Sequence, residues 1–163
     1  MVYGALEAGG TKMICAICKE NGEILEQVSI PTSSPDETMP RVIDFFKDKG
    51  IAALGVACFG PIDLDKSSET YGYITSTPKV KWQNYPILPV IEKALSVPAG
   101  FDTDVNGSLL GEVSFGSSRG LENAVYITIG TGIGGGVLSN GKLLHGMLHP
   151  ELGHMILVPH EKD

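Results

Sequence analysis

The feature that most restricts what this chain can fold into is the run Tyr126 to Gly136, YITIGTGIGGG, in which a β-branched stretch enters five glycines within seven residues. With so little side chain at a strand end, consecutive backbone N–H groups can crowd toward an anion, and glycine tolerates the positive φ that such a nest requires. The run also contains Gly130-x-Gly132-x-x-Gly135, which by itself spells a dinucleotide-binding turn. That turn must open directly into a helix whose N-terminus holds the pyrophosphate. Here the chain continues VLSNGKLL, an apolar run and then Asn140-Gly141, a strong signal for a two-residue hairpin. The sequence therefore predicts a β-hairpin whose glycine turn meets phosphate, with a merely structural glycine loop as the alternative.

The start of the chain carries the same pattern. VYGALEAGGTKMICAIC reads as strand, glycine turn and strand, followed by Asn21-Gly22 and a third strand, EILEQVSI. Glu7-Ala8-Gly9-Gly10-Thr11-Lys12 is thus a second candidate phosphate hairpin, about one domain away from the first. Two such loops could hold one polyphosphate between them. An ordinary tight turn is an equal reading for Gly9-Gly10 taken alone. A Walker A loop is excluded, because Lys12 lacks the required spacing and no helix follows. Cys15 and Cys18 form a Cys-x-x-Cys, but residues three apart on a strand face opposite ways, so small core residues in a reducing compartment are expected rather than a redox or metal pair.

The 163 residues suffice for one ordinary domain, or one and part of another. With 42% hydrophobic and 19% charged residues the composition is globular. No run approaches the length of a membrane span and no signal peptide opens the sequence, so cytoplasm is the expected location. A net charge of -7 argues against nucleic acid as a standing partner and leaves a small molecule as the expected one.

Between the two glycine runs, Ser34, Pro35 and Glu37 read as N-cap, first helical residue and capping-box partner of a helix whose inner face is Met39, Val42, Ile43 and Phe46, with Gly50 as its stop. Pro40 fits awkwardly there. Ile51 to Cys58 reads as a buried strand ending in Phe59-Gly60-Pro61, at the strand end where open α/β sheets place ligands. Asp63 to Tyr85 is a long excursion of the kind used for lids and binding loops. Within it Trp82 reads as a packing anchor, and Lys79 and Lys81 as solvated charges. Pro86 opens a helix through Leu95. The strand AGF then leads into Asp102-Thr103-Asp104-Val105-Asn106 and a helix with Val105, Leu109, Leu110 and Val113 on its inner face, ended by Gly116. Asp104 falls at the N-cap or first turn, where the helix dipole favours the ionised carboxylate. An N-cap is the plain reading; a general base facing a phosphoryl donor is the chemical one. The final stretch holds all four histidines and Glu151. It lacks a His-Glu-x-x-His zincin helix, whereas Glu151 and His154 could hydrogen-bond sugar hydroxyls.

Taken together, EAGGTK, CFGPI, YGYITSTPKVKW, TDVNGSLLGE, ITIGTGIGGG and HPELGH resemble the ROK sugar-kinase family, in particular its bacterial fructokinase branch, over Met1 to Pro159. The resemblance implies an α/β, actin-like (ribonuclease H-like) ATPase fold with a mixed sheet: a complete first domain over residues 1–121 and the start of a second over 122–163. It implies ATP-dependent phosphorylation of a hexose, with fructose expected. Gly9, Gly10, Thr11 and Lys12 match the first phosphate loop, and Thr131 and Gly132 the second. Asp104 matches the catalytic base, and Thr103, Glu151 and His154 the sugar contacts. His154 also matches the first ligand of a structural Zn²⁺ whose other ligands would lie beyond Asp163. Mg²⁺ is implied as the companion of ATP, and a homodimer is a compatible assembly.

Three departures qualify this. Glu7 stands where most sugar kinases of this fold have Asp, which bears on a water-bridged Mg²⁺, although the fructokinase branch shares the Glu. Thr103 replaces the Asn that commonly precedes the base. The sequence also stops before the zinc loop and the adenosine-binding part of the second domain, so the 163-residue chain alone is expected to show little or no kinase activity. A non-catalytic sugar-binding or regulatory member of the same family is the alternative.

Overall fold

The computed structural model describes residues 1–130, 132–146 and 151–162. Three strands lead the chain, β1 (Val2–Ala8), β2 (Lys12–Lys19) and β3 (Ile24–Pro31), and the helix α1 (Pro35–Phe46) follows them. Strand β4 (Leu54–Cys58), helix α2 (Ile87–Leu95), strand β5 (Ala99–Thr103) and helix α3 (Asp104–Phe115) complete the first half. The five strands form one sheet in the order β3-β2-β1-β4-β5. Pairing is antiparallel across β1, β2 and β3 and parallel across β1, β4 and β5, which makes the sheet mixed.

The period of two decides which face is covered. Leu6 and Ala8 of β1, Met13, Cys15 and Ile17 of β2, and Leu54, Val56 and Cys58 of β4 are buried with Met39, Val42 and Phe46 of α1 and Ile87 and Ile91 of α2. Glu7 alternates out to the opposite face, where α3 packs on β4. Cys15 and Cys58 are fully buried and unbonded, as core residues should be, and burial pushes the Cys15 thiol up to about 12.

The local signals are realised with corrections. Ser34 has the extended backbone of an N-cap but makes no side-chain cap. The neighbouring residue closes the turn instead: Ser33 N donates to Thr38 Oγ1 at 3.0 Å, and Ser33 Oγ donates to the Glu37 carboxylate. Pro40 sits inside α1. The helix ends at Phe46, before Gly50, and both Asp48 and Gly50 take the left-handed conformation in the turn beyond it. On α3 the buried positions are Asn106 and Leu109, whereas Leu110 is 43% exposed.

The excursion from Asp63 to Tyr85 is pinned down along its length. Ile74, fully buried, bridges to Ile62 and to Tyr85. The Asp63 carboxylate accepts from Ser68 Oγ and Thr70 Oγ1, both at 2.6 Å. Trp82 is the packing anchor: it lies edge-on between Phe59 and Tyr85 and donates Nε1–H to Ser33 O at 2.7 Å.

A second, antiparallel sheet follows, made of β6 (Ala124–Ile129), β7 (Ile133–Ser139) and β8 (Lys142–Leu143). Asn140 and Gly141 both have φ > 0, at 50° and 71°, which is the primed two-residue hairpin that Asn-Gly favours. No helix is long and apolar enough to cross a membrane among the described residues.

Candidate active site

The turn between β6 and β7 is closed by Gly130 N donating to Gly132 O at 2.9 Å, with Ile129 opposite Ile133. This is strand, turn and strand, so the dinucleotide reading fails for the reason the sequence suggests. The glycines of the run divide between two surroundings. Gly130, Gly134, Gly135 and Gly136 all have φ outside the left-handed region. Gly130 and Gly132 have open space where a Cβ would stand, so they leave bare backbone facing the cavity described below. The next three make room for protein. A Cβ on Gly134 would come 2.9 Å from Val105 Cγ1, one on Gly135 2.9 Å from Leu152, and one on Gly136 2.9 Å from Val105 O and 2.8 Å from Asn106 Oδ1. Two of the five, Gly134 and Gly136, therefore form a seat for the first turn of α3, while Gly135 makes room for Leu152.

That first turn presents Asp104. Thr103 is the N-cap, its Oγ1 accepting from Asn106 N at 3.2 Å, and Asp104 is the first helical residue. Asp104 Oδ1 accepts from Val105 N at 2.9 Å. Burial raises the Asp104 carboxyl above the ordinary carboxylate range; its neighbour's N–H pulls the other way, and the charges of Glu7 and Glu151 add to the rise. Desolvation thus outweighs the helix dipole invoked from sequence. Behind it, Asp102 Oδ1 accepts from Asn106 Nδ2 and from Thr103 N, both at 2.8 Å, while Asp102 Oδ2 meets His145 Nε2 at 2.7 Å. Asn106 is fully buried, and its Oδ1 has no partner among the described residues.

Asp104 lies in a cavity of about 480 Å³ that also takes in Thr103, Gly130, Gly132, Glu151 and Lys79. This volume is within the range of small-molecule sites. Four of the ten site residues assigned from sequence, Thr103, Asp104, Gly132 and Glu151, are thereby brought together. A fifth, His154, places Nδ1 3.1 Å from Glu151 Oε2, which accepts from it, and lines an adjoining cavity with Glu151 and Gly60. Thr131 lies outside the described residues. The first glycine turn reaches the cavity indirectly. Gly9 N donates to Lys12 O at 3.1 Å, and the N–H groups of Gly10 and Thr11 find no protein acceptor among the described residues. Lys12 itself is exposed at the head of β2 and does not line the cavity. The lysine that does is Lys79, whose side chain lies against Gly10. Sequence reasoning passed over it as a solvated charge, because a single lysine in an aperiodic loop carries no pattern.

The metal expectations fit unequally. Among the described residues no group of three or more His, Cys, Asp or Glu side chains is assembled for a metal ion. His154 therefore stands alone as a zinc ligand, and nothing is derived through zinc. Glu7 and Asp104 are close enough for the charge of one to act on the other, a pair of hard oxygen donors suited to a Mg²⁺ bound largely through water.

Comparison with known proteins settles the kinship. The sequence profile of the ROK family matches residues 3–163. The chain belongs to the ROK family. A putative fructokinase of Bacillus subtilis is 48% identical over 162 residues, covering 99% of this chain and 54% of that protein. A fructokinase of Streptococcus mutans is 47% identical over 164 residues, with 99% and 55% covered. A ROK family glucokinase from Streptomyces griseus, solved with glucose and AMPPNP, superposes with a TM-score of 0.78 at 25% identity over 98% of this chain and 52% of that one. This ROK chain accordingly has the actin-like ATPase fold, and it spans about half the length of the curated relatives it matches.

Proposed function

We propose that this chain supplies the sugar-side and proton-accepting half of an ATP-dependent hexose kinase, with fructose as the sugar. The observation that carries the reading is Asp104: a carboxylate at the head of α3, inside a cavity walled by a bare glycine turn, with its proton affinity raised by burial. A base of that kind is better matched to a sugar hydroxyl than an ordinary surface carboxylate would be. The names of the fructokinase relatives support the choice of sugar.

In this reading a hexose hydroxyl oxygen attacks the terminal phosphorus of ATP. The new O–P bond forms as the bond to the β-phosphate oxygen breaks, and that electron pair leaves with ADP. The hydroxyl proton passes to Asp104 Oδ2, since Oδ1 is held by the Val105 N–H. Thr103 Oγ1 accepts from the Asn106 N–H and keeps its own proton to donate to a sugar oxygen, the contact that an Asn would otherwise make. Glu151 accepts from a sugar hydroxyl and is oriented by His154. Gly9, Gly10, Thr11 and Lys12 are assigned to one side of the phosphates and Thr131 and Gly132 to the other, with Gly10 and Gly132 offering backbone alone. Mg²⁺, when bound, would offset phosphate charge near Glu7 and Asp104. Residues 1–121 form the first domain of this reading and 122–163 the beginning of the second.

The test is a coupled ADP-release assay with fructose and ATP on the chain extended to the length of its relatives. Asp104→Asn is expected to bind fructose almost unchanged while turnover falls about 10²–10⁴-fold. Near-normal turnover would remove Asp104 from the role. Fructose binding by the unsubstituted protein without ADP release would favour the non-catalytic, sugar-binding alternative.

A further inference from the structure

Lys79 is a charge whose environment has no explanation in the fold. The residue is half-buried, and among the described residues no carboxylate lies within ion-pairing distance of its ammonium. Its position is nonetheless fixed from behind. Lys79 N donates to Thr77 Oγ1 at 3.3 Å, Trp82 N donates to Lys79 O at 2.7 Å, and Gln83 Nε2 donates to Thr77 O at 2.9 Å. Thr77 and Trp82 are themselves buried, and Trp82 is tied to Ser33. The loop therefore delivers one lysine to one place.

That place is the wall of the Asp104 cavity beside the first glycine turn. A Cβ on Gly10 would stand 2.9 Å from Lys79 Cε and 3.9 Å from its Nζ, so the missing side chain of Gly10 is the space the lysine occupies. Across the cavity lie the bare backbones of Gly130 and Gly132. A cation with no carboxylate partner among the described residues, between the backbones of Gly10 on one side and Gly130 and Gly132 on the other, is arranged for an anion.

We infer that Lys79 binds the oxygens of a phosphoryl group seated between the Gly9-Gly10 and Gly130-Gly132 turns. This rests on the kinase reading above and deepens it, because the chemistry is shared by the terminal phosphate of a triphosphate and by the phosphate of the phosphorylated sugar. Lys79 donates N–H bonds to the group without taking or giving up a proton. Its point charge on a flexible stem can follow the phosphorus as it moves from one oxygen to the other.

Isothermal titration of the 163-residue chain with inorganic tripolyphosphate, fructose 1-phosphate, fructose 6-phosphate and unphosphorylated fructose separates the sources. Lys79→Met, which keeps length and loses charge, is expected to weaken the phosphate compounds about tenfold or more and leave fructose unchanged. Lys79→Arg should recover much of the loss, and thermal melts confirm that both variants fold. Loss confined to tripolyphosphate assigns the group to the donor, and loss confined to the sugar phosphates assigns it to the product; either supports the inference. If the unsubstituted chain binds the phosphates and Lys79→Met binds them equally, Lys79 has no such role while the kinase reading stands. If the unsubstituted chain binds none of them, the phosphate cradle itself is refuted, and the inference falls with it.

Discussion

At the scale of single residues, Asp104 shows how position and burial compete. Its place at the head of α3 is stabilising for a carboxylate, yet its carboxyl is raised above 3.8 because desolvation dominates. The sign follows from proton linkage. A carboxyl that holds its proton more tightly when folded contributes nothing unfavourable at low pH; stability is lost as pH rises from the unfolded value through the folded one, and stays lower above it. Asp104→Asn keeps an oxygen for the Val105 N–H and carries no charge. Its Tm is therefore expected to exceed that of the unsubstituted chain at pH 7, by about 2–4 °C for each kcal/mol relieved, and the difference should close as the pH approaches 3.8. Melting curves across pH 3–7 check this; an Asn variant that melts lower at neutral pH would show that the ionised form is held by partners rather than penalised. The same rise predicts that turnover in the extended protein falls on acidification at a pH above the ordinary carboxylate range.

At the scale of elements, the relevant unit is α3 seated on β7. Gly134 and Gly136 let Val105 and Asn106 approach a strand more closely than any side chain would allow. Gly136→Ala must push the Val105 carbonyl or the buried Asn106 aside, so a loss of about 1–3 kcal/mol is expected, as for other overpacked sites. Gly55 and Gly100, on the face of the five-stranded sheet that carries α3, meet nothing within 4 Å and serve as controls. Gly55→Ala should be neutral or stabilising by a few tenths of a kcal/mol. Chemical denaturation of both variants distinguishes the two kinds of glycine, and equal midpoints would refute the seat. The contrast also marks how far the sequence could be read. Alternation, the Asn140-Gly141 turn and the absence of a following helix are local signals, and they place β6, β7 and the hairpin correctly. That Gly134 and Gly136 face a helix begun thirty residues earlier is a tertiary fact with no local trace. The same holds for Lys79, which gains its meaning only from Gly10, and for Leu110, whose apolar character suggests an inner face that Asn106 occupies instead.

At the scale of the whole molecule, the two sheets have unequal support. The main buried cluster is drawn from residues between Leu6 and Ile91, whereas Val125, Ile127 and Ile129 along β6 are 60%, 62% and 78% exposed. The second sheet is thus held chiefly through the α3–β7 seat and through the Asp102–His145 pair, which joins the end of β5 to the chain just after β8. These two attachments share Asn106, whose amide donates to Asp102 and whose orphaned Oδ1 faces Gly136. Removing the Asp102 carboxylate leaves the buried Asn106 unsatisfied at both ends and frees Thr103 N as well, so Asp102→Ala is expected to cost about 1–3 kcal/mol. His145→Ala removes only a part-exposed side-chain hydrogen bond, worth about 0.5–1.5 kcal/mol at most, and spares the Asn106 bond. Hydrogen exchange locates the damage: amides of β6 and β7 should lose protection in Asp102→Ala well before those of β1 and β2, which belong to the main core. Uniform loss across both sheets would mean that they open as one unit, and the junction at Asn106 would then be an ordinary part of a single cooperative core.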